Sequence, residues 1–143
     1  MEELFFEDVD AGAAIPNVVR KISLIDLMKY SAATWNFYLL HVEKEFAQKK
    51  GFKDVNVHGP LFGALLATTM TQWVGDPGGL KKLAYSARGM GFPGDTLTAK
   101  GTVVKKYQEA GENLVDCEVW VENQEGVKLV PGTATVALPS KEK

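Results

Sequence analysis

The chain has 143 residues, of which 45% are hydrophobic and 24% charged, with a formal net charge of −2. That length suits one domain with a real core and is too short for two ordinary ones, so a single domain over residues 1–143 is expected. The composition is that of a soluble globular protein, not a disordered or fibrous one, and no basic stretch longer than Lys81-Lys82 or Lys105-Lys106 offers nucleic acid a phosphate-tracking surface.

The chain opens on Met1-Glu2-Glu3-Leu4-Phe5-Phe6-Glu7-Asp8, acidic where a secretory signal would be basic and then apolar. No uninterrupted apolar run reaches membrane-spanning length, so neither export nor insertion is expected. The single cysteine, Cys117, rules out an internal disulfide and fits a reducing, cytoplasmic setting. Residues 1–16 read as a leading segment broken by Pro16. A short strand over residues 18–22 follows, with β-branched residues ahead of a polar stop. Ser23 with Asp26 three positions on matches a capping box. The helix it predicts runs weakly amphipathic through Leu24, Leu27, Met28 and Ser31-Ala32 to about Thr34. A second helix is predicted over residues 42–50, closed by Gly51 where a left-handed cap belongs.

The stretch from His58 to Gly75 is the most telling. Pro60 suits a first helical position, because the amide hydrogen it lacks would have no partner there. Apolar residues then run almost all the way round, interrupted only by Thr68, Thr69, Thr71 and Gln72, so this helix should be buried. Beyond it, strands are predicted over residues 80–90, 95–108, 113–123 and 127–138, with turns at Pro93-Gly94-Asp95, Ala110-Gly111-Glu112 and Gln124-Glu125-Gly126. In the third strand Val115, Cys117, Val119 and Val121 alternate with polar residues, the period of a half-buried antiparallel strand. Trp120 falls on the polar face, either as a subunit contact or as an isolated surface aromatic. The charged residues 139–143 should fray. One early strand, a buried helix and four long strands describe an α+β domain in which a curved antiparallel sheet wraps a long central helix. Gly89, Gly91 and Gly94 form no phosphate loop, since neither Lys-Ser or Lys-Thr nor a helix follows them.

The two histidines sit where this organisation is most distinctive: His41 just after the first helix, His58 at the mouth of the buried one. Two histidines and one distant cysteine give no metal-ligand cluster at any usual spacing, so no metal is expected. There is no Gly-x-Ser-x-Gly elbow, and Cys117 faces the core in mid-strand, which argues against a nucleophilic hydrolase. Acid–base chemistry fits better. Imidazole titrates near neutral pH, so His41 can take a proton and return it in one turnover. Asn36, five residues earlier, supplies an amide that can hold a water but cannot take the proton. The first turn of the buried helix has unpaired amides at the positive end of its dipole, suited to a developing oxyanion. Gly59 and Leu61 can donate there and Pro60 cannot.

The segment Tyr30-Ser31-Ala32-Ala33-Thr34-Trp35-Asn36-Phe37-Tyr38-Leu39-Leu40-His41, then Phe46-Ala47, Gly51 and Val57-His58-Gly59-Pro60-Leu61, resembles the MaoC-like hydratases and dehydratases. Trp73-Val74-Gly75-Asp76-Pro77-Gly78, Phe92-Pro93-Gly94-Asp95-Thr96-Leu97 and Gly132-Thr133-Ala134-Thr135-Val136-Ala137-Leu138 extend the likeness, in order, over almost the whole chain. The resemblance implies a hot-dog fold and reversible addition of water across the double bond of a 2-enoyl thioester. Coenzyme A, the usual carrier, is then part of the substrate, and no separate cofactor is expected. It carries the family's catalytic histidine onto His41 and the amide donor to the thioester carbonyl onto Gly59 or its helix-start neighbours. The family's catalytic aspartate falls on Asn36 and a nearby asparagine on Tyr38, two departures from the common pattern. Trp35-Asn36 followed by His41 is similar to a branch that acts on branched or dicarboxylic enoyl-CoAs such as mesaconyl- or itaconyl-CoA, and that branch also shows the His-Gly-Pro-Leu form seen at His58. Other members work as heteromeric pairs, as in steroid side-chain breakdown.

Blander roles stand beside these. Asn36 explains itself equally well as a helix-terminating residue, His58 as a structural histidine bonded to its loop, and Tyr38 as a buried tyrosine satisfied by a nearby carbonyl. Trp35, Phe37, Phe62 and Trp73 read as core, and Lys81, Lys82, Arg88 and Lys100 as a solvated sheet edge before contacts to coenzyme A phosphates. The candidate site is therefore His41 and Asn36 as catalytic residues, with Gly59, Leu61, Tyr38, Trp35 and His58 around the substrate. Two rival functions remain: a non-catalytic or co-catalytic subunit of a heteromeric MaoC-like hydratase, and a hot-dog thioesterase, which would need a carboxylate near the central helix. An uncovered sheet edge predicts a homodimer or higher oligomer, with a second MaoC-like chain as the alternative partner.

Overall fold

A computed structural model describes residues 3–142. Met1 and Glu2 of the leading segment and Lys143 of the tail lie outside the described residues. The strands are β1 (Ala14–Lys21), β2 (Gly79–Tyr85), β3 (Thr96–Glu109), β4 (Glu112–Glu122) and β5 (Lys128–Ala137), and the helices α1 (Leu24–Thr34), α2 (Lys44–Lys49) and α3 (Gly59–Val74). The strands form one sheet in the order β1-β3-β4-β5-β2, antiparallel at every pairing. Helix α3 touches all five strands, which is the expected hot-dog arrangement of a curved sheet around a central helix.

Side-chain alternation seats the sheet on that helix. Leu97, Ala99 and Val103 of β3 and Val115, Cys117, Val119 and Val121 of β4 point inward and are buried. They meet Phe62, Leu66 and Met70 of α3 in one core. Each large apolar side chain so buried contributes roughly 1.5–3 kcal/mol. The capping box at the start of α1 forms as the sequence predicts: Ser23 Oγ accepts from the Asp26 N–H at 3.2 Å, and Asp26 Oδ2 accepts from the Ser23 N–H at 2.8 Å.

Several boundaries differ from expectation. Strand β1 starts at Ala14 and runs through Pro16, because a bulge between Ile15 and Val18 excuses Pro16 from pairing with β3. The second helix begins two residues late, since a single 3-10 turn over Leu39–His41 precedes it. Helix α3 takes His58 as its N-cap, so Pro60 is its second residue, still inside the turn whose amides lack intrahelical acceptors. Strand β2 stops at Tyr85, after which the Arg88 and Gly89 amides both donate to the Leu129 carbonyl and regular register is lost. Trp120 is not an isolated exposed aromatic: its indole N–H donates to Glu122 at 3.1 Å, and the Lys128 ammonium lies 4.4 Å over its ring. The tail is docked where fraying was expected. Phe6 N–H donates to the Pro139 carbonyl at 2.8 Å, and the Lys141 N–H and ammonium reach Glu7 and Asp8. Among the described residues no helix is long and apolar enough to cross a membrane.

Candidate active site

Helix α1 ends in a turn that throws the chain back. Trp35 adopts a left-handed conformation at φ 54° and ψ 35°. Its N–H donates to the Ala32 carbonyl at 3.3 Å and the Asn36 N–H to the Ser31 carbonyl at 2.9 Å, the paired bonds of a Schellman cap. A bulky residue in this conformation costs about 1–2 kcal/mol. The expected core placement is not found: the indole is 83% exposed and meets Phe37, also exposed, edge-on at 5.0 Å. The reversal returns the chain to α1, where the 3-10 turn ending at His41 packs. Asn36 Oδ1 accepts from the Tyr38 N–H at 3.4 Å and leads the chain into that turn.

At the end of the turn, His41 Nδ1 lies 2.7 Å from the carbonyl oxygen of Asn56. A carbonyl only accepts, so Nδ1 carries the hydrogen and, in the neutral ring, Nε2 carries the lone pair. Asn56 is itself fixed, its N–H donating to the Leu40 carbonyl at 3.2 Å. The chain then runs into His58, which is 0% exposed and caps α3 through its backbone. The His58 ring stacks on His41 with centroids 3.9 Å apart and planes 23° from parallel. On α1, Ser31 Oγ lies 2.8 Å from His58 Nε2, and the Tyr30 ring packs 4.8 Å away at a tilt. Burial, reinforced by the neighbouring His41, pushes His58 down to about 4, so it is neutral at ordinary pH.

The opening of α3 follows directly. Leu61 N–H donates to the His58 carbonyl at 3.0 Å and is not available to a ligand, whereas the Gly59 N–H makes no hydrogen bond among the described residues. A Cβ placed on Gly59 would meet nothing within 4 Å, so there is room at that residue. A cavity of about 410 Å³ lies between α1 and α3, with Tyr30, Ala33, Val57, Leu61, Ala64 and Leu97 among its apolar lining. Val57 and Leu61 bracket His58 and Gly59, so one end of the cavity adjoins the histidine pair.

His41, His58 and Gly59 are thus brought together, and Tyr38 flanks them. Tyr38 is half exposed where a buried tyrosine was expected, with its ring edge-on to His41 at 5.9 Å and to Phe46 at 5.8 Å. Leu61 contributes its side chain and not its amide. Trp35 stands apart on the surface, and among the described residues no hydrogen bond joins the Asn36 amide to His41. Two of the four candidate cations are occupied: Lys81 pairs with Glu112 at 2.6 Å, and Lys100 pairs with Glu122. Cys117 is buried in β4, and burial followed by the Asp116 charge raises its thiol to about 12. Among the described residues no group of three or more His, Cys, Asp or Glu side chains is placed to hold a metal ion.

Ser31 and Asn56 were not singled out from sequence. For Ser31 a signal existed: it lies four residues after Leu27 on the buried stripe of α1, where a polar residue needs a partner. The Asn56 contribution is a backbone carbonyl, for which side-chain identity gives no signal.

Known structures share this fold. R-hydratase PhaJ1 from Pseudomonas aeruginosa is similar at a TM-score of 0.88 and 22% identity, over 97% of this chain and 88% of that one. A MaoC-like dehydratase from Rhodospirillum rubrum gives 0.83 and 19%, over 98% and 99%. A chain of the ChsH1-ChsH2 complex from Mycobacterium tuberculosis gives 0.80 and 22%, over 90% and 98%. The fold is the hot-dog fold of the MaoC-like (R)-hydratases. A model of the hydroxyacyl-thioester dehydratase type 2 family matches residues 10–92, more than half of the chain, and the chain belongs to that family. No curated protein sequence matches it.

Proposed function

We propose that the chain is a hydratase that adds water reversibly across the double bond of a 2-enoyl-CoA thioester, with His41 as the proton carrier. The observation that carries this reading is the His41 Nδ1 to Asn56 carbonyl bond, which leaves Nε2 as the basic nitrogen of a ring packed against the residue opening α3. In hydration, Nε2 takes a proton from water as the oxygen bonds to the β-carbon. The electron pair of the double bond passes through the α-carbon to the thioester oxygen. That oxygen accepts from the Gly59 N–H, with the positive end of the α3 dipole behind it. The imidazolium then returns its proton to the α-carbon, and the thioester carbonyl re-forms. Asn36 cannot ionise, so one base serves both transfers and its amide orients the water. The acyl chain occupies the apolar cavity between α1 and α3, and the carrier extends toward solvent.

The second reading, a subunit that works beside a catalytic partner, draws on Asn36. Its Oδ1 is committed to the Tyr38 N–H, and it stands where the family pattern has a carboxylate. A homodimer through the free edge of β2 continues the sheet across two copies in the first reading, and a related chain takes that edge in the second. A thioesterase lacks its water-activating group, since α3 carries no carboxylate between Gly59 and Val74.

Assay of the purified chain alone against crotonyl-, mesaconyl- and steroid enoyl-CoAs separates these readings. Loss of the conjugated enoyl absorbance with the chain alone supports the hydratase. Activity that requires a second chain supports the subunit role, and release of free thiol identifies a thioesterase.

A further inference from the structure

We propose that Ser31 and His58 act together as a positioning pair for His41, with Ser31 locking the His58 ring and the face of that ring setting the plane of the catalytic imidazole. This rests on the reading of His41 as proton carrier. The His41 to Asn56 bond pins one atom of the ring but leaves it free to tilt about that bond. The nearly parallel His58 ring, 3.9 Å away, removes that freedom. His58 can serve as a fixed wall because it is fully buried and tied to α1 through Ser31, itself 1% exposed, at 2.8 Å.

The surroundings of His58 favour the neutral ring. Its Nδ1 is buried with no partner among the described residues. A charged ring would hold a hydrogen on both nitrogens and leave the one on Nδ1 a buried donor without an acceptor, so the ring is kept neutral and shares one hydrogen bond with Ser31 Oγ through Nε2. The titratable groups around it are His41 from the return loop, Tyr30 from α1 and, beyond Tyr30, Tyr85 from β2. No carboxylate among the described residues bonds to it. Nothing nearby favours a charged His58, and the low value near 4 agrees. A neutral π face is also what a transiently cationic His41 needs beside it, since a second positive charge at 3.9 Å would oppose proton uptake.

Ser31 touches the reaction only through His58, so the two residues should behave as one unit. In the hydration assay of the purified chain, Ser31→Ala and His58→Phe should each lower kcat by about 10- to 100-fold with KM nearly unchanged, the range usual for partners that orient an active group. The double variant should be no worse than His58→Phe alone, because removing the hydroxyl matters only while Nε2 is there to use it. Thermal melts of all variants guard against misfolding, and Ser31→Ala, which removes one oxygen atom, keeps the test open if His58→Phe does not fold. Activities within twofold of wild type for Ser31→Ala, alongside an inactive His41→Ala, would overturn the positioning pair and leave the His41 reading intact. A rise in KM with kcat unchanged, or losses that multiply in the double variant, would overturn it as well. A fully active His41→Ala would instead overturn the proton-carrier reading on which the pair depends.

Discussion

His41 and His58, seventeen positions apart, lie face to face at 3.9 Å, one half-buried and bonded to a backbone carbonyl, the other sealed beneath it. The contact joins the loop that follows α1 to the opening of α3. It sets a ring able to move protons beside an amide able to hold an oxyanion.

Acid should weaken the fold through His58. Its folded value is about 4 against an ordinary 6.5, so between those values the unfolded chain binds more protons. Stability from the neutral buried ring is fully present above pH 6.5, declines as pH falls and levels off below about 4. The loss is on the order of 3 kcal/mol. Thermal melts from pH 7 to pH 4 should show this slope in wild type, and His58→Phe should lack it.

Gly59→Pro should fold and lose turnover. Proline is tolerated in the first helical turn, and His58 at φ −60° and ψ 135° already has the extended backbone that a following proline requires. The substitution deletes the Gly59 amide, which has no partner among the described residues. A fall in kcat of about 10²–10³-fold is expected, measured with crotonyl-CoA and checked by circular dichroism.

Trp35→Gly should stabilise the chain by about 1 kcal/mol, because glycine takes the left-handed conformation without the Cβ clash and the exposed indole gives up little packing. Chemical denaturation measures this. An accompanying rise in KM would show that the indole also meets the carrier portion of the substrate.

Ala33→Phe should narrow the cavity between α1 and α3 at an exposed helix position that costs little stability. The expected result is a steeper loss of kcat/KM for long enoyl chains than for crotonyl-CoA, measured across a chain-length series.

Much of this architecture was legible in the residues themselves. The capping box at Ser23, the all-round apolar run after Pro60 and the alternation in β4 are local signals, and each produced its element within a residue or two. What escaped was set by distant partners. Pro16 argues against a strand until a bulge is known to spare it from pairing, and β2 ends where β5 ceases to match it in register. A tryptophan in a left-handed cap defies its own backbone preference. At the site, the positions of His41, His58 and Gly59 were readable along the chain. The bonds that orient them, from Ser31 across 27 residues and from Asn56 across 15, exist only once α1 and the segment before α3 are folded together.

The most direct test is the turnover of a 2-enoyl-CoA by His41→Ala beside wild type, with folding verified and substrate saturating. Removal of the only base in a single-base cycle should lower kcat by about 10²–10⁴-fold, and His41→Gln, which cannot accept a proton, should do no better. Turnover within threefold of wild type in His41→Ala would contradict the account.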